Sequence, residues 1–180
     1  MHAHVFDTPA GFCGIAWSTA GITGFALPMP EAAAAAAAIR RRTGAALDDL
    51  PPGLRPVADA VRAYFTGERR DFAAAPLDLR AREPFFARVY AAVRCLGWGE
   101  TTTYGALAAA LGEGPEAARD VGRAMGANPV PLLVPCHRVL AAGNRLGGFS
   151  APGGSETKRR MLALEGVVLD DAPRQASFAF

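Results

Sequence analysis

The polar and apolar positions divide the chain into stretches of different period. Residues 9 to 30, PAGFCGIAWSTAGITGFALPMP, carry no charge, yet four glycines, three prolines and two polar breaks argue against a membrane span. The pattern predicts two strands, 12 to 18 and 22 to 27, joined by a turn at Thr19-Ala20-Gly21. Glu31 to Arg42 is an alanine-rich run closed by three arginines, and high helix propensity with cations in the last turn predicts a helix. Between 56 and 66, Val57, Val61, Tyr64 and Phe65 recur on one helical face, with Gly67 as a stop. Residues 68 to 82 mix charge, small residues and a proline with no period, and read as a linker.

Beyond the linker the texture changes. Pro84 suits a first helical position, and Phe85, Val89, Val93 and Leu96 follow on one stripe. Thr103 is placed to cap a short helix from Tyr104 to Leu111; Gly112-Glu113-Gly114 turns, and Pro115 opens another helix to about Met125. Two short helices around a glycine-containing turn fit a helix-turn-helix. In the second, Ala118, Val121 and Met125 share one side while Arg119 and Arg123 share another, either a solvated charged face or a nucleic-acid contact. Ser155 is positioned to cap a last helix that Gly166 ends. These elements predict an α/β protein divided into residues 1–82 and residues 83–180.

Composition narrows the function classes. With 51% apolar and 20% charged residues in 180, the chain has the balance of a packed globular protein. A net charge of +2 excludes a basic field over the whole surface, so any nucleic-acid contact must be local. Three cysteines without a CxxC pair, and histidines only at 2, 4 and 137, fit neither a disulfide framework nor a zinc site. No cationic start precedes the first apolar run, which leads to the expectation of a cytoplasmic protein with no membrane association.

The candidate chemistry sits in VPLLVPCHRVL, residues 130 to 140. Prolines 129, 131 and 135 push their predecessors toward extended conformations, predicting a stiffened, non-helical segment around Cys136. On such a segment Cys136 and His137 point to opposite faces, so they join directly only across a tight turn, or else through a water. A free thiol is mostly protonated at neutral pH, and a nucleophile here requires ionisation assisted by His137 and the adjacent Arg138. Cys13 and Cys95, flanked by apolar residues and glycine, are expected to be inert buried thiols. Glu165 falls in the final turn of the last helix, where the dipole disfavours a carboxylate. It is either a surface glutamate or the residue that orients His137 in a Glu165–His137–Cys136 relay.

Residues 99 to 166 resemble the O6-alkylguanine-DNA alkyltransferases, also called methylated-DNA–protein-cysteine methyltransferases, with TYG, AARDVG, PCHR and LEG in the family's order. TPAGFCGIAWSTAGITGF is similar to the family's amino-terminal hairpin. The resemblance implies a ribonuclease H-like α/β domain followed by a mostly helical, winged-helix-like domain that binds double-stranded DNA in the minor groove. It implies that Cys136 accepts the alkyl group of O6-alkylguanine once and irreversibly, with O4-alkylthymine as a further possible substrate class. His137 then draws the thiol proton through a water, Glu165 orients His137, and Tyr104 donates toward the flipped guanine. Arg119 fills the space of the extruded nucleotide, with Arg123 and Arg138 also on the DNA side, and Asn128 forms the hinge before the cysteine segment. Val134, Pro135, Phe149 and Ser150 are the expected substrate pocket. Neither metal nor soluble cofactor is implied, and a monomer suffices.

Two positions depart from the family pattern: Phe149 stands where a tyrosine is frequent, and Asp120 follows Arg119 where alanine is frequent. The rivals are a non-catalytic sensor of alkylated DNA, a type that lacks the cysteine, and a cysteine hydrolase that would turn over repeatedly.

Overall fold

A computed structural model describes residues 1–80 and 83–169. The last two residues of the expected linker and residues 170–180 of the expected second part lie outside the described residues. Strands β1 (His2–Thr8), β2 (Gly11–Ser18) and β3 (Gly21–Met29) form an antiparallel meander, and the short β4 (Ala46–Leu47) adds in parallel beside β1, giving the order β3-β2-β1-β4. The two expected strands are present and longer than their apolar centres. The sequence pattern does not mark β1, because His2, His4 and Asp7 interrupt its apolar positions; Ala3 and Phe6, on opposite faces of the strand, are both buried, Ala3 in the cluster with Ala38 and Ile39 of α1 and Phe6 in the main cluster with Phe25.

Helix α1 (Ala32–Thr43) lays Ala35, Ala38 and Ile39 on the sheet and ends at Gly44, whose left-handed conformation (φ 66°) lets its N–H reach the Arg40 carbonyl. Helix α2 (Arg55–Tyr64) buries Ala58, Val61 and Tyr64; Val57 and Phe65 from the expected stripe are only half-buried. The stretch read as a linker is pinned. Phe72 and Ala75 are buried, Ile22 N–H donates to Pro76 O (2.7 Å), and Asp78 N–H donates to Ile22 O (2.8 Å). Gly21 is required there, since at φ 148° its Cα faces the Pro76 carbonyl with no room for a side chain. Aperiodic sequence therefore hid a segment held by backbone bonds rather than by an apolar stripe.

Helix α3 (Pro84–Arg94) starts at its proline and buries Phe86, Val89, Tyr90 and Val93, a face turned slightly from the expected one. Then follow β5 (Thr102–Thr103), α4 (Tyr104–Ala110), α5 (Ala118–Gly126), β6 (Val139–Leu140) and α6 (Gly154–Leu164). β5 and β6 pair in parallel as a second, two-stranded sheet. The result is a mixed α/β fold with six α-helices among the described residues. One buried apolar cluster joins Phe6, Phe25 and Tyr64 to Tyr90, Val93, Leu133 and Val139, so the sheet and the later helices share a core. No helix among the described residues is long and apolar enough to cross a membrane.

Candidate active site

The helix-turn-helix forms by local rules. Thr103 Oγ1 accepts the Ala106 N–H (3.1 Å) and caps α4, while Pro115–Ala117 make a 3₁₀ turn that feeds α5. α5 packs through Val121, Ala124 and Met125, and its Ala124 carbonyl accepts the buried Tyr90 hydroxyl (2.8 Å). Arg119 and Arg123 face solvent, as the spacing predicts, but Arg123 pairs with Asp120 at 2.8 Å. Such exposed pairs contribute at most about 1 kcal/mol, so a phosphate can displace the carboxylate.

The segment after α5 is its opposite: every residue from 128 to 140 is buried. Asn128 donates from Nδ2 to Val134 O (2.9 Å) and accepts the Val130 N–H on Oδ1 (3.0 Å), clipping the loop that leads to the cysteine. The first part of the chain grips the same loop, through Arg42 to Asn128 O (2.6 Å) and Phe25 N–H to Pro129 O (2.9 Å). Leu132 is held in a left-handed conformation (φ 76°), strain that persists because burial and these bonds over-determine it. At Pro135 (φ −77°, ψ 64°) the chain makes an inverse γ-turn, with Cys136 N–H donating to Val134 O (2.8 Å). Cys136–Arg138 then form a 3₁₀ turn, not the non-helical segment expected. The prolines restrict their predecessors, but Cys136 precedes no proline and is free to turn.

That turn separates three neighbouring side chains. Cys136 borders a cavity of about 480 Å³ whose walls are Tyr104, Met125, Phe149, Ser150 and the small residues Gly122, Gly126 and Gly148. His137 is fully buried, with Nε2 2.8 Å from Glu165 Oε1. Because an ionised carboxylate only accepts, Nε2 carries the proton, and Nδ1 is a buried lone pair with no partner among the described residues. Among those residues no hydrogen bond joins the Cys136 sulfur to His137. Arg138, expected on the DNA side, is 5% exposed and donates from Nε and Nη2 to Glu165 (2.8 and 2.9 Å) and from Nη1 to Leu96 O (2.6 Å). This is a correction: the guanidinium is consumed by a buried carboxylate and is unavailable to phosphate. Asn128 is likewise buried and touches backbone, which suits a hinge and excludes a direct DNA contact.

Glu165, at the C-cap of α6, is no surface residue. It is 4% exposed, and its carboxylate also accepts Tyr64 O–H (2.9 Å) and Gly99 N–H (3.2 Å). Burial pushes its carboxyl upward, but the hydrogen bonds and charges of His137 and Arg138 outweigh this and hold it at about 2. The donors supply what the helix dipole withholds. For His137, burial is the largest influence and lowers the imidazole below its ordinary range despite Glu165. Burial also raises the Cys136 thiol, against an Asn128 hydrogen bond and the charges of Lys158 and Arg42. Both shifts favour a neutral thiol and a neutral imidazole at rest, so ionisation of the thiol has to be assisted, and Cys136, only 6% exposed, has little water around it to support a lone charge.

Several expected features fall elsewhere. Phe149 and Ser150 line the cavity, whereas Val134 and Pro135 are buried and are not among its walls; their backbone forms the turn that leads into Cys136. Cys95 is exposed at the end of α3, because the buried stripe there passes through Val89, Tyr90 and Val93. α6 is entered from Gly153 in a left-handed conformation, with Ser155 inside the first turn and no side-chain cap.

Lys158 was missed. It is fully buried, donates to Val139 O (2.6 Å), lies 5.8 Å above the Tyr104 ring and, through burial, is held down at about 8. Its signal was present: Lys158, Met161, Leu162 and Glu165 occupy one helical stripe, where a lysine among core residues is out of place.

Residues 84–167 match the family model described as 6-O-methylguanine DNA methyltransferase, DNA binding domain. A DNA base-flipping protein of Thermus thermophilus is 46% identical over 112 residues, 62% of this chain and 73% of that protein. A methylated-DNA–protein-cysteine methyltransferase of Metallosphaera sedula is 47% identical over 106 residues, 59% of this chain and 64% of its own length. The crystal structure of Mycobacterium tuberculosis OGT in complex with DNA superposes with a TM-score of 0.74 at 35% identity, covering 92% of this chain and 93% of that one.

Proposed function

The chain belongs to the methylated-DNA–protein-cysteine methyltransferase family, and on that premise we propose that it repairs DNA by moving the alkyl group of O6-alkylguanine onto Cys136. The observation that carries this is Cys136 lining a cavity that Gly122, Met125 and Gly126 of the arginine-bearing helix help to wall, next in the chain to a buried His137 whose Nδ1 has no partner among the described residues.

An O6-alkyl carbon is shielded within the duplex, so the nucleotide must rotate out at a cost of a few kcal/mol before sulfur can reach it. Arg119 takes the vacated place in the stack, and Gly122 and Gly126 leave the cavity wall open on the side of α5. These small residues support docking of α5 in the minor groove. In the reaction the S–C bond forms as the C–O6 bond breaks. The thiol proton passes through a bridging water to Nδ1 of His137, and the resulting imidazolium is stabilised by Glu165. Tyr104 donates to the guanine as negative charge develops on it. Proton transfer and alkyl transfer are thereby coupled, which reconciles a neutral resting thiol with nucleophilic attack.

The product is a thioether that no group here reverses, so each molecule acts once, as a monomer, and the chemistry requires no metal or cofactor. We also divide the chain into a ribonuclease H-like part, residues 1–82, and a winged-helix-like part from residue 83; the four-stranded sheet before that boundary and the helix-turn-helix after it support this division. Mixing the protein with an O6-methylguanine duplex and weighing the Cys136 peptide tests the reaction. One methyl per molecule is expected, and an unmodified peptide sinks it in favour of the base-flipping sensor suggested by the Thermus relative. Continued release of product would instead indicate a hydrolase.

A further inference from the structure

One contributor to the buried network comes from outside the helix-turn-helix half. Tyr64, at the end of α2, is 101 residues from Glu165 in sequence, yet its hydroxyl lies 2.9 Å from Glu165 Oε1, the oxygen that also meets His137 Nε2 at 2.8 Å. Its ring is fully buried and cannot swing aside, being edge-on to Trp98 at 5.4 Å, to Phe65 at 5.1 Å and to His137 itself at 6.5 Å. Burial, then the charge and hydrogen bond of Glu165, keeps the phenol protonated far above its ordinary range, so Tyr64 acts only as a donor toward the carboxylate. Three donors converge on Oε1: Tyr64, His137 and Arg138 Nη2. They share one negative charge, and whatever Tyr64 takes is withheld from the imidazole.

We propose that Tyr64 is a positioning residue for His137, acting through Glu165: its hydroxyl fixes the carboxylate against the imidazole and limits how strongly that carboxylate draws a proton onto the ring. The consequence for repair rests on the alkyl-transfer reading; the effect on His137 does not. The other charges facing His137 are Arg138 on the same turn and Lys158 from α6. Cys136 feels Lys158 and, from α1, Arg42, with Tyr104 across the cavity. Removing one hydroxyl alters none of these groups.

The test is the titration of His137 in the full chain, followed by nuclear magnetic resonance of its ring protons, which need be resolved only from His2 and His4. Tyr64→Phe keeps the ring and deletes the donor. The His137 midpoint is expected to rise by about half a pH unit or more, because Oε1 then offers more charge to the imidazolium. Fluorotyrosine at the same position preserves shape and donates more strongly, so it lowers the midpoint, an arm that stays readable if Tyr64→Phe fails to fold. In a Glu165→Gln background the shift should vanish. Identical His137 titration in all three proteins, or a shift that survives without the carboxylate, overturns the proposal.

The same samples are assayed for methyl transfer from an O6-methylguanine duplex, and the acid limb of the wild-type rate profile should move in Tyr64→Phe by the His137 shift. If wild type transfers no methyl while His137 still responds to the hydroxyl, the reaction assignment fails and the positioning role stands.

Discussion

Helix α5 and the segment that follows it are adjacent in sequence and opposite in physical character. α5 shows Arg119 and Arg123 to solvent, and its only side-chain ion pair among the described residues is the exposed one with Asp120. Residues 128 to 140 are buried without exception, and their backbone is tied to Asn128, Arg42 and Phe25. The difference follows from the tasks. A surface that meets a polyanion needs mobile, hydrated cations whose counterions can be released. A thiol that must attack one carbon needs fixed geometry and low water content, at the expense of losing its charge at rest. Gly122 and Gly126 belong to both regions: they lie on the exposed helix and line the cavity in front of Cys136.

Substitutions confined to one region separate DNA engagement from alkyl transfer. The largest effect is expected for Cys136→Ala, which should abolish methyl transfer, measured by mass, while duplex affinity in a gel-shift titration stays within about twofold because the thiol makes no phosphate contact. Arg119→Ala is the converse. It should slow reaction with an O6-methylguanine duplex by about tenfold to a hundredfold, as stabilisation of the extruded state is lost. Reaction with free O6-benzylguanine should be nearly unchanged; equal losses on both substrates would remove its role in base extrusion.

Acid should damage the buried region selectively. The Glu165 carboxyl is lowered from about 4.5 to about 2 on folding, so its stabilisation is complete above the unfolded value and is lost as pH falls from there through about 2. On the order of 3 kcal/mol is at stake for this buried group. Thermal melts between pH 5 and pH 2 should show that loss, and Glu165→Gln should flatten the dependence. The smallest effect is expected for Phe149→Tyr: the ring already lines the cavity, so the transfer rate should change by no more than about threefold, within the range of one modest hydrogen bond. A larger change would mean that a hydroxyl at that position takes part in substrate recognition.

The helices were legible because each writes its own rule in a short window. Thr103 and the prolines at 84 and 115 mark starts, Gly67 and Gly166 mark stops, and the 3.6-residue stripe marks the buried faces. β1 and residues 72 to 78 were not legible, since backbone bonds fix their positions, β1 to the neighbouring β2 and Pro76 and Asp78 to the distant Ile22, and polar side chains are tolerated on them. At the site, Cys136, His137 and Glu165 stood out by residue type and spacing. Lys158 was overlooked because a lysine in a charged run looks like solvated surface, and Arg138 was misplaced for the same reason. Tyr64 showed only as one member of an apolar stripe, and nothing in its neighbourhood in the sequence points to a carboxylate.

Local rules along the chain set which segments become helices, which residue carries the thiol, and that an imidazole adjoins it in the chain. The state of those groups follows from how the chain packs. Ionisation and hydrogen-bond partnership depend on burial and on groups brought together from far along the chain. Tyr64, Arg138 and Gly99 reach the Glu165 carboxylate from three separate stretches, and burial in the packed segment raises the Cys136 thiol and favours its neutral form.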